Sequence, residues 1–155
     1  MPQLSFHSPI GDITVSEEDG AIVSVDWGWA RDNAPTPLLR RAQRQFDAYF
    51  DGTLTVFDLP LSPVGTPFQQ KVWRALGRIP YGRTTSYGAL AARLGSAARA
   101  VGAACGANPI PIIIPCHRVV GANGHLCGYS GEGGLATKAA LMRLEGIETQ
   151  AELRV

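Results

Sequence analysis

The chain has 155 residues, of which 45% are hydrophobic and 17% charged, with a formal net charge of +1. That length allows one ordinary domain or two small ones, and that composition excludes a disordered chain. No apolar stretch approaches the roughly 20 residues of a membrane-spanning helix, and Met1-Pro2-Gln3-Leu4 does not open a secretory signal, so a cytoplasmic protein that meets no membrane is expected.

The chain opens with short β-rich segments, Leu4–Phe6, Ile13–Val15 and Ala21–Val25. The turns Pro9-Ile10-Gly11-Asp12 and Glu18-Asp19-Gly20 separate them. A helix is predicted next, with Thr36 as cap, Pro37 at its first position, and Leu38, Ala42, Phe46, Tyr49 and Phe50 at helical spacing. Asp51-Gly52 ends it. After the proline-rich joint Leu59–Gly65, Thr66, Pro67 and Gln69 form a capping-box signature, and Phe68, Val72 and Leu76 share a face. Ser86 caps a predicted helix Tyr87–Leu94. Gly95-Ser96 turns the chain into a second helix, about Ala97 to Ala107, giving a helix-turn-helix candidate. Gly121-Ala122-Asn123-Gly124 is expected to make a hairpin, and a last helix runs from Leu135 to Leu144, ending at Glu145-Gly146. The expected domains are 1–62 and 63–155.

The second helix of the pair is nearly devoid of long side chains. Arg99 stands out among alanines, and Gly102 and Gly106 each cost roughly 1 kcal/mol relative to alanine in a helix. Either the helix packs closely inside the protein, or it presses on a narrow surface such as a DNA minor groove with Arg99 available for insertion.

Charge is distributed unevenly. Residues 1–58 carry −5 and residues 132–155 carry −1, whereas no Asp or Glu lies between Asp58 and Glu132, a stretch with seven Lys and Arg. A segment free of acids and dotted with arginine suits a polyanion. The three cysteines, Cys105, Cys116 and Cys127, are odd in number and argue against a disulfide framework. No Cys-x-x-Cys or His-x-x-x-His pair supports a metal site, so no metal and no cofactor are expected.

Cys116 follows the apolar run Ile110–Ile114 and sits in Pro115-Cys116-His117-Arg118-Val119. An imidazole and a guanidinium beside a thiol are expected to lower its pKa and make it a nucleophile, rather than an inert buried cysteine.

This string, with Asn108-Pro109-Ile110-Pro111 before it, resembles the active site of the O6-alkylguanine-DNA alkyltransferases. The likeness extends from about Gly65 to Gly146 through Tyr81-Gly82, Ser86-Tyr87-Gly88, Ala98-Arg99-Ala100-Val101-Gly102, Gly128-Tyr129-Ser130-Gly131, Lys138 and Glu145. Ser8-Pro9-Ile10-Gly11 is similar to the family's N-terminal domain. The resemblance implies an α/β (α+β) fold: a small ribonuclease-H-like N-terminal domain, then a mainly helical domain with a winged-helix-like helix-turn-helix.

It also implies roles. Cys116 would accept the alkyl group, His117 would act as base through a water, and Glu145 would orient the imidazole. Asn108 would brace the turn before the active-site segment, and Tyr87 would protonate the leaving guanine. Tyr87, Ala98, Arg99, Ala100, Gly102 and Ala103 would meet DNA, with Arg99 filling the gap left by a flipped nucleotide. Val119, Tyr129, Ser130 and Gly131 would line the guanine pocket, with Lys138 and Arg118 in support. The implied partner is double-stranded DNA containing O6-alkylguanine, repaired by a monomer in a single, irreversible turnover. The loop 131–134 is about two residues longer than in many members, which places Glu132 near the pocket. The competing readings are a lesion-binding protein without catalysis and a Cys-His-Glu thiol hydrolase, which would need an oxyanion hole and would turn over.

Overall fold

A computed structural model describes residues 1–129 and 134–148. The chain divides into two compact units, Met1–Val64 and Gly65–Val155. Ser130 and Gly131, two of the expected pocket residues, and Glu132 lie outside the described residues.

The first unit is a three-stranded antiparallel meander, β1 (Gln3–Phe6), β2 (Ile13–Glu18) and β3 (Ala21–Trp27), followed by helix α1 (Pro37–Phe50). The strands run longer than expected because register pairing continues past the apolar residues. Leu4 faces Val15 and Val15 faces Val25, with a bulge at Ser16/Glu17. Period-two alternation puts Ile13 and Val15 in the core and Thr14 and Ser16 on the other face. There Ser5 and Thr14 pair through their hydroxyls at 2.8 Å and Thr14 donates to the Gly28 carbonyl. Helix α1 starts as predicted, with the Thr36 hydroxyl accepting from the Leu39 amide. Its core face is Leu39, Ala42, Phe46 and Tyr49. Leu39 thus replaces the expected Leu38, and Phe50 is only half-buried, because Phe46 and Tyr49 set the inward direction. Phe46 meets Phe6 at 5.6 Å and Phe57 at 5.1 Å between ring centroids, and Tyr49 meets Phe57 at 5.3 Å.

In the second unit, α2 (Pro67–Leu76) begins with a complete capping box between Thr66 and Gln69. Val72, Trp73 and Leu76 are buried, and the Trp73 indole N–H donates to the Ala104 carbonyl at 2.8 Å, tying α2 to α4. The two-residue strand β4 (Thr85–Ser86) leads into α3 (Tyr87–Leu94), capped by the Ser86 hydroxyl. Gly95, at φ 63°, supplies the left-handed residue that ends α3 and starts the turn into α4 (Ala98–Gly106).

Residues Cys116–Arg118 form a single 3-10 turn. They lead into β5 (Val119–Val120), which pairs in parallel with β4. The expected hairpin at Gly121–Gly124 is therefore absent from the described residues. Val119 and Val120 find their partner in the distant Thr85-Ser86, and Ala122–Gly124 makes a 3-10 turn with Asn123 at φ 59°. Helix α5 (Leu135–Leu144) ends at Glu145, with Gly146 at φ 79°. Among the described residues no helix is long and apolar enough to cross a membrane.

Candidate active site

Cys116 is held by a constrained approach. Ile112 lies at φ 75°, an outlier for a β-branched residue that costs about 1–3 kcal/mol and persists only where its surroundings impose it. Asn108 helps impose it. Its side-chain amide donates to the Ile114 carbonyl at 2.8 Å, and its carbonyl accepts from the Ile110 amide at 2.9 Å. Hydrogen bonding from the same side chain works to lower the Cys116 pKa.

Cys116 opens onto a cavity of about 230 Å³ lined by Tyr87, Gly102, Cys105, Gly106, Cys116, Gly128 and Tyr129. Cys105, Gly106 and Gly128 were not anticipated. The available signal was spacing, since Gly102, Cys105 and Gly106 fall at i, i+3 and i+4 on α4 and share a face. Val119 is fully buried and does not line the cavity.

The expected activation of the thiol is overturned in both direction and source. Burial pushes the Cys116 thiol up, and the opposing influences are the Asn108 hydrogen bond and the Lys138 charge. Arg118 does not act on the thiol, because its guanidinium is engaged elsewhere. Nε donates to Glu145 Oε1 at 2.8 Å, Nη2 to Oε2 at 3.1 Å, and Nη1 to the Ile79 carbonyl at 2.7 Å. A second thiol in the cavity, Cys105, is pushed by burial to a pKa of about 12 and is no competing nucleophile.

His117 is completely buried, and its Nε2 lies 2.6 Å from Glu145 Oε2. Glu145 is also buried and accepts from the Gly82 amide at 3.1 Å. A carboxylate surrounded by these donors is an acceptor only, so Nε2 carries the proton and Nδ1 carries a lone pair. Nδ1 is buried with no hydrogen-bond partner among the described atoms, as is the Tyr129 hydroxyl. Burial, the largest influence, lowers the His117 pKa despite Glu145.

Lys138, also completely buried, holds the far wall of the cavity. Its ammonium donates to the carbonyls of Cys127 at 2.7 Å and Gly128 at 3.1 Å and to the Tyr87 hydroxyl at 3.4 Å. The Tyr87 hydroxyl lies 3.3 Å from the Cys127 carbonyl. Burial raises the Tyr87 pKa well above the ordinary tyrosine range, so its proton stays on at neutral pH.

On α4, Val101, Ala104 and Cys105 point inward, while Ala98, Arg99, Ala100 and Ala103 are exposed and Gly102 is half-buried. The structure thus gathers Cys116, Tyr87, Gly102 and Tyr129 around one cavity and joins His117, Arg118 and Glu145 behind it. Arg99, Ala98, Ala100 and Ala103 lie on an outer face. Among the described residues no group of three or more His, Cys, Asp and Glu is placed to hold a metal ion.

Two family models cover most of the chain. The ribonuclease-like domain of 6-O-methylguanine DNA methyltransferase matches residues 4–63, and the DNA-binding domain of the same protein matches residues 67–147. The chain belongs to the 6-O-methylguanine DNA methyltransferase family. A methylated-DNA–protein-cysteine methyltransferase of Mycobacterium bovis is 56% identical, with 96% of this chain and 94% of the relative covered. One from Methanosarcina acetivorans is 45% identical, covering 91% and 96%. The crystal structure of Mycobacterium tuberculosis OGT in complex with DNA superposes with a TM-score of 0.85 at 44% identity, covering 99% of this chain and 98% of that one. As a family member, the chain is a methylated-DNA–protein-cysteine methyltransferase.

Proposed function

We propose that this chain repairs double-stranded DNA in the cytoplasm by taking the alkyl group of an O6-alkylguanine onto Cys116 Sγ, once per molecule. The observation that carries the reading is the pairing of a buried thiol, open to a cavity, with a neighbouring imidazole whose Nδ1 is unpartnered. A thiol kept protonated by burial needs a base at the moment of reaction, and neutral His117 supplies one through Nδ1 and a bridging water.

The step balances. The thiol proton passes to His117, sulfur attacks the alkyl carbon in line, the C–S bond forms, and the C–O6 bond breaks with its electron pair leaving on guanine. The Tyr87 hydroxyl, protonated at neutral pH, gives a proton to the departing base and is reprotonated as His117 releases the thiol proton to solvent, so that the net proton moves from the thiol to guanine. The product is a thioether, a poor leaving group, so the acceptor is consumed. No cofactor takes part.

A base inside a duplex cannot reach a buried thiol, so the nucleotide must leave the stack. The exposed Arg99 on a helix of alanines suits insertion into the vacated space, and Ala98, Ala100, Gly102 and Ala103 suit close approach to the groove. Tyr129 would line the guanine pocket, with Lys138 holding the loop carbonyls and Asn108 the approach to Cys116.

The test is intact mass and peptide mapping after mixing with a duplex carrying one O6-methylguanine. One methyl on the Cys116 peptide, saturating at one per chain, is expected. Loss of the lesion with unchanged protein mass would mean a turning-over hydrolase. A bound, intact lesion would mean a sensor.

A further inference from the structure

Behind the cavity lies a buried charge arrangement that the transfer chemistry alone does not require. Glu145, His117 and Arg118 are all within the interior, with side-chain exposures of 0%, 0% and 9%. Every nitrogen of the guanidinium is committed, two to the carboxylate and one to the Ile79 carbonyl, and the group lies 5.8 Å from the Tyr81 ring centroid. Such a grip is far more than an orienting carboxylate needs.

We infer that Arg118 is a positioning residue that keeps His117 neutral by neutralising Glu145, so that the Nδ1 lone pair is available as a base at neutral pH; this rests on the alkyl-transfer reading. The reason is charge counting in a poorly solvated place. With Arg118 present and His117 neutral, the three side chains sum to zero. Protonating His117 would leave a buried +1, which the interior opposes. Take away the guanidinium and the count inverts. The neutral arrangement becomes imidazolium facing carboxylate, and Nδ1 then carries a proton and cannot accept the one from Cys116.

The other groups around the imidazole act in the same direction or stay silent. Lys138 on α5 adds a second positive charge that disfavours an imidazolium. Cys116, in the same 3-10 turn, is held as an uncharged thiol by burial. Tyr81, from the segment after α2, is kept uncharged by burial and by the neighbouring Glu145. Glu145 alone favours the imidazolium, and Arg118 grips both of its oxygens. Sequence adjacency suggests that Arg118 serves the thiol, whereas its placement makes it serve the base.

The decisive experiment is an NMR titration of labelled histidine in the full chain without DNA, together with pH profiles of alkyl transfer. In the wild type, His117 should be the neutral Nε2–H tautomer at pH 7. In Arg118→Met, and in Arg118→Gln, which retains polar contacts should the methionine variant fail to fold, the His117 midpoint should rise by at least about one pH unit. Transfer should then fall about tenfold for each pH unit below the raised midpoint and recover above it. Arg118→Lys, which keeps the charge, should keep the wild-type midpoint whatever its rate. An imidazolium at pH 7 in the wild type would overturn the inference, as would an unmoved midpoint in both neutral variants or a loss of rate equal at every pH. If the wild-type chain takes up no alkyl group, the repair reading fails, while the titration, read without DNA, still decides the charge argument.

Discussion

Replacing Gly102 with alanine separates the two reasons a helix can hold small residues. Gly102 lies inside α4, and its backbone is not left-handed. An added Cβ would meet only Tyr87 Cδ1, at 4.0 Å, an ordinary van der Waals distance. The fold therefore does not require glycine there. Gly102→Ala should stabilise the chain by about 1 kcal/mol, the propensity difference in a helix interior. That corresponds to a rise in Tm of roughly 2–4 °C if the chain melts as one unit, and about 4–8 °C if the second unit melts alone. The same methyl should weaken duplex binding if α4 lies against DNA. Overpacking a close-fitting surface costs about 1–3 kcal/mol, or roughly a 5- to 150-fold rise in Kd. Thermal unfolding gives the first quantity, and fluorescence anisotropy with a lesion-bearing duplex at fixed salt gives the second. A fall in Tm would refute the packing reasoning. A higher Tm with unchanged affinity would refute the placement of this face against DNA.

Two further outcomes test the buried site. Glu145→Gln should cost about 3–5 kcal/mol in denaturant unfolding, because it strands the buried Arg118 charge, and Arg118→Met should cost less, because His117 takes up a proton against Glu145, while the double variant should cost clearly less than the sum of the two; simple additivity would refute the coupling. Because burial lowers the His117 pKa in the folded state, the unfolded chain takes up a proton on this residue that the folded chain resists. That contribution to stability is present above the ordinary histidine value of about 6.5 and is lost as pH falls below it, by at most about 1.4 kcal/mol per pH unit. Denaturant midpoints measured against pH should show this acid limb, and His117→Gln should flatten it. An identical limb in both proteins would show that His117 is not its source.

Much of the local architecture was legible because it is decided by neighbours in the chain. Thr36-Pro37, Thr66-Pro67 with Gln69, and Ser86 each carry within a turn of helix the hydroxyl that satisfies the first free amides, and all three helices start there. Gly95 and Gly146 likewise end helices through a backbone angle that glycine adopts freely. The mixed fold with a small sheet unit followed by a helical one was readable in the same way, from the change of hydrophobic period along the chain.

The failures share one cause, which is that adjacency in sequence does not say where a side chain points. Arg118, two residues from Cys116, turns away from the thiol to Glu145, while the cation that acts on the thiol is Lys138, from α5. Val119 and Val120 pair with Thr85-Ser86 rather than across a local turn. Leu39 takes the core position expected for Leu38 because contacts made by Phe46 and Tyr49 set the rotation of α1.

By itself the sequence determined the helix boundaries that caps enforce, the acid-free basic segment, and the identity of a cysteine in the surroundings of a family motif. Tertiary structure alone decided the charge states. Desolvation depends on which groups end up buried together, and whether a buried imidazole stays neutral depends on the sum of charges that long-range packing places around it.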